Sequence, residues 1–158
     1  MADHPSFDTL ARSHAAHQNG QAREALALAA ASYRMLRDIP GAPRDAAIIP
    51  SWYGLLLGTV GNRASEGLAL CRNAASELFW EPRVHENLAR LEMACGHRKE
   101  AVSALERGLA IAPENRELRE LRHQLGRRRK PPLPFLDRSH PLNRVLGRLF
   151  YKQSGGPT

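Results

Sequence analysis

The chain has 158 residues, 42% hydrophobic and 25% charged, enough for one cored domain with a tail. No stretch approaches the roughly 18 uncharged apolar residues of a membrane helix, the polar residues 1–8 lack the basic-then-apolar order of a secretory signal, and Cys71 and Cys95 imply neither a disulfide framework nor a zinc knuckle. The net charge of +7 is uneven: residues 1–118 carry 13 Lys/Arg against 14 Asp/Glu, whereas residues 119–158 carry 10 against Glu120 and Asp137 alone.

Alanine and leucine are abundant and alternating β-branched runs are missing, so the elements read as helices. A first helix spans residues 6–19 and stops at Gly20. Glu24-Ala25 opens a second, along which Ala25, Leu28, Ala29, Ser32, Tyr33 and Leu36 recur at helical period. Ile39-Pro40-Gly41-Ala42-Pro43 is a helix-breaking connector. A third helix contains Tyr53-Gly54 and stops at Gly61; Glu66-Gly67 opens a fourth, with Leu68, Cys71, Ala75, Leu78 and Phe79 as its stripe.

The fifth and sixth helices are the most regular. Val84, Leu88, Leu91 and Cys95 fall at steps of four, three and four, Gly96 stops the helix, and His97 and Arg98 make the turn. Ala101, Leu105, Gly108, Leu109 and Ala112 then mark the inner face of the partner helix, which Pro113 ends. Ala89, Ala101 and Gly108 are small where two antiparallel helices must cross, and larger side chains there would overpack.

The 34 residues from 82 to 115 resemble the tetratricopeptide repeat, through Leu88-Ala89, the Gly96 turn, Glu100-Ala101, Gly108 and Pro113. Glu92 stands where that repeat usually has an aromatic residue. Residues 6–39 are similar through Gly20 and Glu24-Ala25, although Arg12 and Ser13 replace the leucine-small pair. Residues 45–80 are similar through Tyr53-Gly54, Gly61 and Glu66-Gly67, with one extra residue between Gly61 and Glu66 that predicts an insertion in the turn. The resemblance implies an all-α solenoid of about three antiparallel helix pairs.

Beyond the third unit, Asn115 suits an N-cap, Glu117 the first turn, and Leu118, Leu121 and Leu125 a narrow apolar stripe, so residues 115–126 read as a capping helix that closes a 6–126 repeat domain. Residues 127–158 form a basic, proline-rich tail. Arg127, Arg128, Arg129 and Lys130 precede Pro131-Pro132-Leu133-Pro134, and an amphipathic helix is predicted over about 140–152. That helix carries Leu142, Val145, Leu146, Leu149 and Phe150 on one side, and Arg144, Arg148 and Lys152 on the other. It suits packing back onto the solenoid, an anionic membrane surface, or a partner's groove. Nucleic acid is disfavoured, because the basic cluster is short and no aromatic platform accompanies it.

No catalytic constellation is legible, so no enzyme, small-molecule substrate or cofactor is expected. His14 and His17 lie three apart, and Cys95 two before His97, but neither pair has a third metal ligand at suitable spacing. Both cysteines lie on apolar stripes, where a thiol acts as a small core residue. In tetratricopeptide proteins the first helices of successive units line a concave groove. The resemblance therefore implies Arg83, Glu86, Asn87, Arg90 and Met93 there, with Ser51, Trp52 and Leu55, and with His14, His17 and Gln18. Asn87 stands where peptide-clamping members often carry asparagine, and Arg83 and Arg90 are able to pair with a carboxylate. Equally, the two arginines are simply solvated and Trp52 packs on Phe7 or Tyr53. The expected function is a cytoplasmic adaptor of bacterial type that binds a partner peptide or helix, with the tail as accessory contact. The alternative is a structural subunit of a larger assembly, or a membrane-surface protein docking through its C-terminal helix.

Overall fold

Where glycine or proline interrupts the periodic stripes, the helices end, and the chain becomes a run of antiparallel pairs. The computed structural model describes residues 4–39 and 44–126, which contain seven α-helices and no strand. They are α1 (Pro5–Gln18), α2 (Ala22–Arg37), α3 (Ile48–Thr59), α4 (Ala64–Glu77), α5 (Pro82–Ala94), α6 (Arg98–Ile111) and α7 (Arg116–Gln124), with a 3-10 turn at Arg44–Ala47 before α3. Pro40 to Pro43, the basic cluster Arg127 to Lys130, the proline stretch and the helix predicted over 140–152 with Arg144, Arg148 and Lys152 lie outside the described residues.

The pairing follows the repeat: α1 packs on α2, α3 on α4, and α5 on α6. Contacts of α3 with α2 and α5, and of α4 with α5, join successive units, and α7 closes the last one against α6. One core runs through them all, built on Leu10, Ala25, Ile49, Leu56, Cys71, Val84, Leu91, Leu105 and Leu118. Local sequence starts the helices where it should. Pro82 follows the Glu81 N-cap, whose carboxylate accepts from Arg83 N at 3.2 Å, and Asn115 Oδ1 accepts from Leu118 N at 2.9 Å.

Small residues set the crossings, by a different chemistry in each pair. Between α1 and α2 the small residues are serines whose hydroxyls are satisfied across the crossing: Ser13 Oγ donates to Ala25 O and Ser32 Oγ to Ser6 O, both at 2.7 Å. Ser13 thus fills, against Ala25, the place that the buried Ala89 holds in α5, each seven residues before the glycine at the end of its unit's first helix. Between α3 and α4 the backbones meet directly. A Cβ added at Gly54 would lie 2.7 Å from Gly67 O, and one at Gly67 would run into Gly54 O.

Two local expectations are corrected. The left-handed position between α3 and α4 is Asn62 (φ 56°), not Gly61; Gly20 and Gly96 hold it in the other units, both at φ 76°. Counted from Asn62, Glu66 is four residues on, as Glu24 is from Gly20 and Glu100 from Gly96. The extra residue is absorbed earlier, in a widened end of α3. There Arg63 N reaches back six residues to Leu57 O, whereas Gln21 N and His97 N each reach back five, to Ala16 O and Glu92 O. The stripe of α4 also ends sooner than its periodicity suggests: Leu78 is buried as the C-cap, but Phe79 is 65% exposed.

Candidate functional site

Antiparallel pairing turns every first helix the same way, so α1, α3 and α5 present one shared face. On it lies a cavity of about 500 Å³ lined by His14, His17 and Gln18 of α1, Trp52 and Leu55 of α3, and Arg83, Glu86, Asn87 and Arg90 of α5. Asn115 and Glu117, at the start of α7, complete it. Nine of these residues are ones that the resemblance to the repeat implies for the groove. Two nominated residues are elsewhere: Ser51 is fully buried, and Met93 is half-buried against the core.

Trp52 forms the floor. It is 7% exposed, and its Nε1 donates to Ser13 Oγ at 2.9 Å, so the hydroxyl that ties α1 to α2 also anchors α3. The indole packs on neither Phe7 nor Tyr53 but on the histidines of α1. His14 stacks on it at 3.9 Å between centroids, and His17 meets it edge-on at 5.2 Å. Tyr53, one residue on, faces the other way and stacks on Tyr33 at 5.1 Å. The α1 histidines are therefore held by aromatic packing. Among the described residues no three His, Cys, Asp or Glu side chains converge to hold a metal ion.

Electrostatics follow from this packing. Burial pushes the His14 imidazole down to about 4, helped by the nearby Arg83 guanidinium and His17. Its Nε2 is buried without a hydrogen-bond partner. Arg90 Nε donates to Glu86 Oε1 at 2.9 Å, so these two charges offset one another. Asn87 is not a free clamp: it is buried and donates to Ser51 Oγ at 3.0 Å. Ser51 in turn accepts, through its backbone oxygen, from the Cys71 thiol at 3.3 Å. That thiol is pushed up to about 12, mainly by burial and further by Glu92, so it is protonated at neutral pH.

Behind the cavity, Glu92 replaces the usual aromatic with a buried carboxylate, only 2% exposed. Arg72 Nη2 of α4 donates to it at 2.7 Å, and His97 Nδ1 of the α5–α6 turn at 2.7 Å. This network is not legible in the sequence because its members belong to three elements. Asn115 and Glu117 read there only as the N-cap and first turn of α7. The signal for their second role was present, since Glu117 lies 34 residues after Arg83 and Asn115 lies 34 after Glu81, one repeat length in each case.

No helix among the described residues is long and apolar enough to cross a membrane. The tetratricopeptide-repeat family matches residues 82–125, which span α5 to α7. No curated protein matches the sequence. Among solved structures, the Arabidopsis OM64 TPR domain is similar with a TM-score of 0.57, over 76% of this chain and 93% of that one, at 13% identity; the likeness is one of fold. Such repeats in general mediate protein–protein interaction and are typically without catalytic activity of their own. Residues 82–125 thus carry the tetratricopeptide-repeat match, and the described residues form an all-α helical repeat of the kind seen in tetratricopeptide domains, with a cavity on the shared face of the first helices.

Proposed function

We propose that this chain is a cytoplasmic adaptor that holds a segment of a partner protein, a peptide or one face of a helix, in the cavity on its first helices. Arg127, Arg128, Arg129 and Lys130, with Arg144, Arg148 and Lys152, serve as accessory contacts for the same partner. One observation supports this above the others: four alternate helices, α1, α3, α5 and α7, each send side chains into a single cavity with an apolar floor and a polar rim. A few converging polar groups over a preformed apolar base is the arrangement that orients a ligand.

The test uses the full chain as bait, beside Arg83→Glu combined with Gln18→Ala, both cavity-lining residues with exposed side chains. The expected result is a protein recovered by the wild type and lost by the variant at unchanged melting temperature. Equal recovery by both would remove the cavity from the interaction.

A second reading, a subunit held within a larger assembly, draws on the exposed apolar side chains. Met35, Phe79, Trp80 and Ile111 all lie at or just beyond the C-terminal ends of α2, α4 and α6. Loss of the partner on replacing Phe79 and Trp80 by serine, with Arg83→Glu harmless, would favour that reading.

A further inference from the structure

The charges that line the cavity are not equivalent. Arg90 and Glu86 are one helical turn apart and pair at 2.8 Å, so they present little net field. Arg83 and Glu117 also line the cavity, and neither has an ion-pair partner among the described residues. They hold the same place, the second residue of α5 and of α7, one 34-residue repeat apart. The repeat therefore carries an unpaired cation on one first helix and an unpaired anion on the next. Beside Arg83, the buried Nε2 of His14 is a hydrogen-bonding atom with nothing to bond. The His14 ring is neutral at neutral pH and adds no third charge.

We propose that the occupant of this cavity is a partner peptide of mixed charge, with an acidic side chain that meets Arg83 and a basic side chain that meets Glu117. The proposal rests on the reading of the cavity as a protein-binding groove and adds the chemistry of what fills it. A uniformly acidic segment would set a carboxylate against Glu117, and a uniformly basic one would set a cation against Arg83. Charge opposition of that kind rejects wrong partners more strongly than the matched pair strengthens the right one.

The experiment is selection of peptides from a displayed random library on the immobilised full chain, followed by titration of one enriched peptide. Titrations use wild type, Arg83→Glu, Glu117→Lys and the double charge reversal, each first shown to melt as wild type does. Enriched peptides are expected to carry both an acidic and a basic residue. Each single reversal should weaken binding about tenfold, and the double reversal should bind the peptide whose two charges have been exchanged. If the enriched peptides need Arg83 but are indifferent to Glu117→Lys, the groove reading stands and the mixed-charge proposal falls. If neither reversal changes binding, the peptides sit elsewhere and both fall.

Discussion

Replacing Gly54 by alanine places a carbon 2.7 Å from Gly67 O and 3.0 Å from both Cys71 Sγ and Leu70 Cβ. Carbon–oxygen contacts between packed backbones settle at about 3.3 Å or more, so α3 and α4 must part by about 0.6 Å along their tightest line. The obstructing oxygen belongs to the backbone of α4, so no rotamer change relieves it. Two effects of opposite sign compete. Alanine favours an open helix over glycine by about 1 kcal/mol, whereas overpacking a core typically costs about 1–3 kcal/mol. The backbone clash puts the cost at the upper end, for a net loss of about 1–2 kcal/mol. For a unit of this size that lowers the melting temperature by about 4–8 °C. Circular dichroism at 222 nm, with heat and separately with urea, measures it. A variant that melts at or above the wild-type temperature would show that helix propensity wins and that the crossing has room, which refutes the argument. Ala89→Gly, at the corresponding place in α5, should also destabilise, there by losing propensity and opening a void.

Three further outcomes follow from the cavity and its support. Ser13→Ala removes the acceptor of the Trp52 indole N–H and leaves that donor buried, so the urea midpoint should fall by the equivalent of about 1–3 kcal/mol; an unchanged midpoint would mean the serine is only a spacer. His14 is held below its ordinary range, so the unfolded chain binds its proton first: stability is complete above about pH 6.5 and is lost as pH falls toward about 4. Because His14 is only partly buried, the contribution is discounted to about 1 kcal/mol, and His14→Phe, which keeps a ring against Trp52, should flatten that part of the melting-temperature profile. An identical acid slope in the variant would assign the effect to other groups. Finally, Arg72→Ala strands the buried Glu92 carboxylate and should cost about 2 kcal/mol or more, while Glu92→Met frees Arg72 and His97, both half-exposed, and should cost less. Equal losses in chemical denaturation would contradict the asymmetry.

The legible part of this protein is the part written in local periodicity. Steps of three and four place Val84, Leu88 and Leu91 on one stripe whatever they pack against, and a stop at Gly20 or Gly96 needs only a backbone that tolerates positive φ. Because a repeat reproduces its own geometry, one good unit also carries information about the others, and His14, Trp52 and Arg83 were assignable to a shared face without any contact being known. The same logic applied to the interval from Arg83 to Glu117 would have placed the last lining residue.

What only tertiary structure decided lies between elements. Trp52 and Tyr53 are adjacent aromatics with similar local signals. The first meets the α1 histidines and donates to Ser13, and the second stacks on Tyr33, contacts made only once α1 and α2 have packed on α3. Glu92 reads as a surface residue until α4 brings Arg72 to it, 20 positions away in the chain. The extra residue of the second unit was countable in the sequence, but hydrogen bonding placed it at the end of α3 and gave Asn62 the left-handed position. The sequence alone therefore determined which helices form and which face of each is apolar, since those depend on neighbours three and four residues away. Which polar groups are buried, paired or left exposed depends on atoms from helices a repeat apart, and that was settled only when the helices packed.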